Sequence, residues 1–151
     1  MTATSTLRTG HIGLNVTDIE RSLAFYGALL GFDVLGEGKE GDSRYAFLGR
    51  DGRLVLTLWQ QADDGYAPTR AGLHHLAFEV DTMDRVRAAE AELTARGVDF
   101  AYEGVVAHGE GSASGGIFFH DPDGTRLEIY AATGADDASA PHTTAPTCGF
   151  F

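Results

Sequence analysis

The feature that most restricts this chain is a strand pattern that occurs twice and opens each time on a histidine. In His11-Ile12-Gly13-Leu14-Asn15-Val16, the residues Ile12, Leu14 and Val16 fall on one side and His11, Gly13 and Asn15 on the other. In His75-Leu76-Ala77-Phe78-Glu79-Val80, Leu76, Phe78 and Val80 oppose His75, Ala77 and Glu79. Alternation with period two marks a strand with one face on a core. The same parity sends His74 to the apolar side, away from His75. From position 11 to position 75 the repeat length is 64. Solenoid repeats are shorter, about 20–50 residues, so the pattern reads as a duplication within one domain, its halves meeting at a metal.

The segments between the two strands repeat in order as well. After the first, Thr17 or Asp18 caps a helix whose stripe is Ile19, Leu23, Tyr26 and Leu30, with Gly31 as its stop. Extended segments follow at Phe32–Gly36, Arg44–Leu48 and Arg53–Gln60, the last two joined by the hairpin signal Gly49-Arg50-Asp51-Gly52. A polar linker, Gln61–Gly72, precedes the second histidine strand. Asp81-Thr82-Met83-Asp84 then opens a helix to Arg96, with Met83, Val86, Ala89, Glu90 and Leu93 inward. Extended segments at Val98–Val106 and Gly116–His120, the turn Asp121-Pro122-Asp123-Gly124 and a strand at Thr125–Tyr130 complete the second set. The expected fold class is α+β: two βαβββ modules, about 10–60 and 73–131, in a single domain over 1–132. Residues 133–151, rich in Ala, Thr and Pro, form a C-terminal tail. Its composition suits a frayed segment or a surface strap, while Phe150-Phe151 suits docking on this chain or a partner.

Composition narrows the partners. A formal net charge of -11 argues against nucleic acid, which needs clustered cations. The single cysteine, Cys148, allows neither an internal disulfide nor a cysteine-based zinc site. No run approaches the roughly 20 apolar residues of a membrane span, and the first residues lack a signal-peptide core, so the expectation is a cytoplasmic protein with a small-molecule substrate.

The last strand supplies a third chemical group. Leu127 and Ile129 point to the helix side, leaving Arg126, Glu128 and Tyr130 on the face of His11 and His75. A mid-strand carboxylate buried alone is costly, and coordination of a cation would remove that cost. Two imidazoles and one carboxylate make a facial triad that leaves coordination positions open, suited to Fe(II) or Mn(II), with Zn or Ni as alternatives. The metal ligands are therefore expected at His11, His75 and Glu128. The competing reading pairs Glu128 with Arg126 and leaves the histidines structural.

The strand–helix–three-strand module, twice over, resembles the vicinal oxygen chelate superfamily, which includes glyoxalase I, type I extradiol dioxygenases and the fosfomycin- and bleomycin-resistance proteins. The resemblance rests on His11–Val16 with Ser22–Tyr26, on His75–Val80, and on Asp121-Pro122-Asp123-Gly124-Thr125-Arg126-Leu127-Glu128. It implies half-open, barrel-like sheets forming a cup with the metal at its floor, and His11, His75 and Glu128 at ligand positions. Glyoxalase I has a further ligand on the last strand of the first module. Here the cup-facing residues of that strand are Val55, Thr57 and Trp59, which leaves three ligands, as in extradiol enzymes and thiol transferases. The resemblance thus implies a metal-dependent enzyme that chelates two substrate oxygens, dioxygenase-like. The alternatives are an antibiotic-binding or antibiotic-modifying resistance protein and a glyoxalase-like lyase. Substrate contacts are expected from Thr57, Trp59, Tyr45, Phe47 and Arg126, an aromatic lining suited to a flat substrate. Acid–base candidates are Tyr130, His108 and His120. The family also implies a homodimer; the linker permits a metal site within one chain or shared between two.

Overall fold

A computed structural model describes residues 6–151 and divides the chain into two compact units, up to Gly65 and from Tyr66 onward. The first contains β1 (Ile12–Asn15), α1 (Ile19–Leu23) continued by a π-helical turn (Ala24–Leu29), β2 (Asp33–Glu40), β3 (Ser43–Arg50) and β4 (Arg53–Trp59). The second contains β5 (Leu76–Glu79), α2 (Met83–Ala95), β6 (Val106–Ala107), β7 (Gly115–His120), β8 (Arg126–Ala131) and a short 3-10 turn at Thr147–Gly149. Each unit holds one four-stranded mixed sheet, ordered β1-β4-β3-β2 and β5-β8-β7-β6, and neither closes into a barrel. The first strand of each runs parallel to the last, and the remaining pairings are antiparallel.

The shared strand order lets the two modules be compared through the pairing of their central strands. Gly13 pairs with Thr57 in the first, and Ala77 with Glu128 in the second. Thr57 of module one is therefore the counterpart of Glu128. By the same register Phe47 corresponds to Phe118, each pairing with that central residue from the neighbouring strand. His11 and His75 each stand one residue ahead of their strand.

Local chemistry explains the element boundaries. Asp18 caps α1 by accepting from the amides of Glu20 and Arg21, and Thr82 caps α2 by accepting from Arg85. The β3–β4 turn bends at Asp51 and Gly52, both with positive φ (52° and 74°), the pair of conformations that a type I′ hairpin requires. The first helix differs from a regular 3.6-residue stripe. Its π-helical turn rotates the chain so that Ile19, Ser22, Phe25 and Tyr26 are buried, while Leu23 and Leu30 are only partly covered. In α2 the buried residues are Met83, Val86 and Leu93. The expected strand at Val98–Val106 reduces to a single bridge, Phe100 to Phe119, and the start of β6.

Opposite sheet faces have different jobs. Ala46, Leu48, Leu56 and Leu58 in the first unit, and Ile117, Phe119, Leu127 and Ile129 in the second, are buried core. Residues of the other parity on β7 and β8 (Gly116, Phe118, Arg126, Glu128 and Tyr130) form the second sheet's functional face. The Asp121–Gly124 turn fixes the β7–β8 register. The buried Asp121 carboxylate accepts from the amides of Asp123 and Thr125, both at 2.9 Å.

Replacing Asp121 by Ala strips two amides, one buried and one half-buried, of a charged acceptor and should cost about 3 kcal/mol, lowering Tm by roughly 6–12 °C in a thermal melt. Gly116→Ala should be worse. Its Cβ would lie 2.1 Å from the Ile129 carbonyl oxygen, backbone against backbone, so β7 and β8 would have to part. A melt in which both variants match the parent would contradict this account of the turn and the strand pair.

Candidate functional site on the second module

Glu128 lies in mid-strand at 2% exposure, a carboxylate held among rings. One oxygen accepts a hydrogen bond from His108 Nε2. The other is 3.8 Å from His75 Nε2. His108 arrives from the loop after β6, and Ser114 Oγ lies 2.8 Å from its Nδ1, with Ser112 Oγ 3.1 Å further along. A nitrogen facing a carboxylate at this range must carry hydrogen, so Nε2 of His108 donates and Nδ1 is left to the serine hydroxyl. Of the three acid–base candidates, His108 is the one joined to Glu128.

The other two are turned elsewhere. The Tyr130 hydroxyl donates to Glu79 Oε2 at 3.3 Å, and burial, then the Glu79 charge, push the phenol above its ordinary 10.0. It is a donor at neutral pH and no base. Its ring does lie 5.2 Å from that of His108. His120 belongs to the Asp99 segment: its amide donates to the Asp99 carbonyl and its Nδ1 is 3.5 Å from Asp99 Oδ2.

His74 departs from the sequence expectation. Strand alternation places it on the apolar side, yet its Nδ1 is 2.9 Å from Nδ1 of His75. The reason is that β5 begins only at Leu76, so strand alternation does not extend back to residue 74. The loop there is pinned by the Tyr66 hydroxyl, within 2.7 Å of the carbonyls of both Leu73 and His74. Arg126 Nη1 lies 3.3 Å from His74 Nε2. The guanidinium can only donate, so it fixes the His74 ring, and His74 in turn fixes His75 with Nε2 toward the carboxylate. Arg126 thereby pairs with His74 and leaves Glu128 to the imidazoles. Burial lowers the His75 pKa below its ordinary 6.5, with the Glu128 charge opposing part of that fall. The ring is neutral at pH 7 and supplies no charge to offset the carboxylate.

The donor set around Glu128 fits a divalent cation. It comprises a buried carboxylate and a neutral imidazole with its Nε2 turned inward. Among the described residues, no group of three or more His, Cys, Asp or Glu side chains is drawn together closely enough to hold a metal on its own. A third ligand has to come from elsewhere, or His108 has to yield its place on Glu128. His11 is exposed at the entrance to β1, on the parity of Gly13 and Asn15.

On the first module, the expected substrate-facing residues do gather. Trp59 Nε1 donates to Thr57 Oγ1 at 2.9 Å, and Thr57 is 2% exposed. The Tyr45 ring lies 5.4 Å from Phe47 and 5.5 Å from Trp59, with Phe47 and Trp59 6.1 Å apart. Gly13 leaves room beneath them, since a Cβ there would meet Thr57 Oγ1 at 3.2 Å. These four side chains form one aromatic-walled surface whose hydroxyls are those of Tyr45 and Thr57, the latter accepting from the indole.

A model of the Glyoxalase/Bleomycin resistance protein/Dioxygenase superfamily matches residues 8–129. The catechol-2,3-dioxygenase of Bacillus subtilis is 34% identical over 125 residues, which are 81% of this chain but 40% of that enzyme. The chain therefore spans about two fifths of that relative's length. Among solved structures, a glyoxylase/bleomycin resistance protein/dioxygenase domain from Frankia sp. EAN1pec superimposes with a TM-score of 0.74 at 25% identity, covering 85% of this chain and 99% of that one. The fosfomycin resistance protein FosX of Listeria monocytogenes, solved with Mn(II) and sulfate, shares the fold with a TM-score of 0.61 at 22% identity, covering 88% and 97%. No helix among the described residues is long and apolar enough to cross a membrane. With the duplicated βαβββ module and the family match over most of its length, this chain belongs to the glyoxalase/bleomycin resistance protein/dioxygenase superfamily.

Proposed function

We propose that the chain is a metal-dependent enzyme that binds a divalent cation, Fe(II) or Mn(II) before Zn or Ni, through His11, His75 and Glu128. Its substrate is a small aromatic molecule with two neighbouring oxygens, and its chemistry is dioxygenase-like. The observation that carries this reading is Glu128: a carboxylate at 2% exposure with a neutral imidazole beside it and its nearest guanidinium engaged by His74. A buried charge in that setting calls for a cation. When bound, the cation supplies open positions for two vicinal oxygens of a substrate. FosX, bearing Mn(II) on the same fold, supports a hard divalent ion, and the similarity to a catechol dioxygenase supports the substrate class.

The chain's own groups have distinct parts in this reading. His75 turns Nε2 toward the carboxylate and would serve as a ligand in the tautomer that carries its hydrogen on Nδ1, and His74 with Arg126 positions its ring. His108 moves a proton: with its Nε2–H held on Glu128, its basic nitrogen is Nδ1, which takes a catechol hydroxyl proton relayed through the Ser114 hydroxyl. The Tyr45, Phe47 and Trp59 surface suits a flat ring. Thr57, the counterpart of Glu128 in module one, brings a hydroxyl where a carboxylate would serve as a proton shuttle, which favours the dioxygenase-like reading over a glyoxalase-like lyase.

Glu128→Gln should weaken Mn(II) binding by roughly 100-fold or more, at least the effect of losing an outer-sphere partner; calorimetric titration with the metal alone measures it, and an unchanged affinity would remove Glu128 from the ligand set. His108→Asn should retain the metal while lowering turnover of a catechol about 100- to 10,000-fold. Because burial lowers the His75 pKa, its neutral form persists below pH 6.5 and is lost as pH falls through the lowered value. Mn(II) affinity should accordingly stay level from pH 8 to about 6.5 and then fall by up to about tenfold per pH unit for each proton displaced. A decline that begins well above pH 7 would show that another group controls loading.

A further inference from the structure

The segment after β8 is folded onto the second unit, and its path leads to the candidate site. Ala135 donates to the Ala113 carbonyl at 2.9 Å, and Ser139 accepts from the Ala107 amide at 3.1 Å. The chain then returns to the same edge. Thr147, fully buried, donates from its amide to the His108 carbonyl at 3.0 Å and from its hydroxyl to the Ala107 carbonyl. The acid–base candidate and this segment therefore share a backbone hydrogen bond. Beyond it, the Tyr102 hydroxyl donates to the Phe150 carbonyl at 3.1 Å.

These anchors deliver one side chain, Phe151, onto the functional face. Its ring centroid lies 4.7 Å from Phe118 and 5.7 Å from His75, both edge-on, and 6.4 Å from Tyr102. The Arg126 guanidinium stands 5.8 Å from its centre. Phe118 pairs with Glu128 across the ladder, so the ring sits directly beside the carboxylate–imidazole group. Aromatic edges on several sides and a cation over the face are what an aryl ring needs for recognition. By contrast Phe150, at 63% exposure, contributes little to this packing. Between Ser139 and Thr147 the segment is Ala-Pro-His-Thr-Thr-Ala-Pro, with no large aliphatic side chain to bind it down.

We propose that residues 132–151 form a strap that acts as an internal competitor, with Phe151 filling an aryl-binding subsite built from Phe118, Tyr102, His75 and Arg126. A ligand reaches His75 and Glu128 only when the Thr147 anchor releases and the strap lifts. The subsite then takes a single aromatic ring, which deepens the proposed function and rests on it for the identity of the natural ligand. An internal competitor lowers apparent affinity by the fraction of molecules that are open. If one molecule in ten is open, removing the Phe151 ring raises affinity about tenfold.

The test compares full-length protein with Phe151→Ala, Thr147→Val and, as the control, Phe150→Ala, with thermal melts to show that each is folded. The first readout needs no metal: the rate at which diethylpyrocarbonate modifies His75, mapped by peptide mass spectrometry against His120 as internal reference. The second is the affinity of Mn(II)-loaded protein for the coloured probe 4-nitrocatechol. Phe151→Ala and Thr147→Val should each accelerate His75 modification and tighten 4-nitrocatechol binding, by about tenfold in the Phe151 variant, with Phe150→Ala unchanged. Unchanged His75 reactivity in Phe151→Ala overturns the strap. So does weaker catechol binding in that variant, because the ring would then be part of the substrate's wall. Faster His75 modification with no catechol binding by any protein upholds the strap and refutes the aromatic-substrate reading instead.

Discussion

A carboxylate in the middle of a buried strand governs the second half of this protein. Glu128 is flanked along β8 by Leu127 and Ile129, which face the helix-packed core, and it is covered on the other side by Phe118 and the two imidazoles. Its charge is enclosed at a cost that only oriented donors or a cation can offset. The surrounding structure is arranged to supply them. The β6–β7 loop brings His108 with two serines behind it, the pinned 66–74 loop brings His75 with His74 behind it, and Arg126 holds the outer histidine in place. Each imidazole that faces the carboxylate is oriented by a second hydrogen bond, as metal- and proton-handling sites require.

Duplication accounts for where the two halves agree and where they diverge. Both modules place a histidine one residue before the first strand and a central residue on the last strand that pairs beside it. In module one that residue is Thr57, its hydroxyl accepting from Trp59, and the surrounding rings are Tyr45, Phe47 and Trp59. In module two it is Glu128, surrounded by titratable groups. One framework thus carries an apolar, ring-walled surface in one copy and a charged centre in the other. The topology repeats because strand order and helix caps are local features of each copy, whereas the central residue is free to change once the ladder holds it.

The strap gives the same site a second property. A segment without large aliphatic residues is held by backbone hydrogen bonds, by buried Ala135 and Thr147 and by the Tyr102 hydroxyl at His142 and Phe150, and it seats an aromatic ring where the chemistry would occur. Weak anchoring and a well-fitted end are the combination that lets a segment compete with a ligand and still leave.

The sequence by itself determined the repeat, the α+β class, the helix caps, the hairpin at Asp51-Gly52 and the shared face of His75 and Glu128, because these follow from alternation, capping and turn chemistry acting over a few residues. It also narrowed the acid–base candidates to three without choosing among them. Only the tertiary structure brought His108 onto Glu128, since a loop of glycines and serines carries no periodicity from which a direction can be read. Tertiary structure likewise turned His74 toward His75, because alternation holds only within a hydrogen-bonded ladder and β5 starts two residues later. It replaced Leu23 and Leu30 by Ser22 and Phe25 in the buried stripe, because a π-helical turn breaks the 3.6-residue period. And it decided the fate of Phe151, whose position on Phe118 and His75 depends on contacts between residues far apart in the chain.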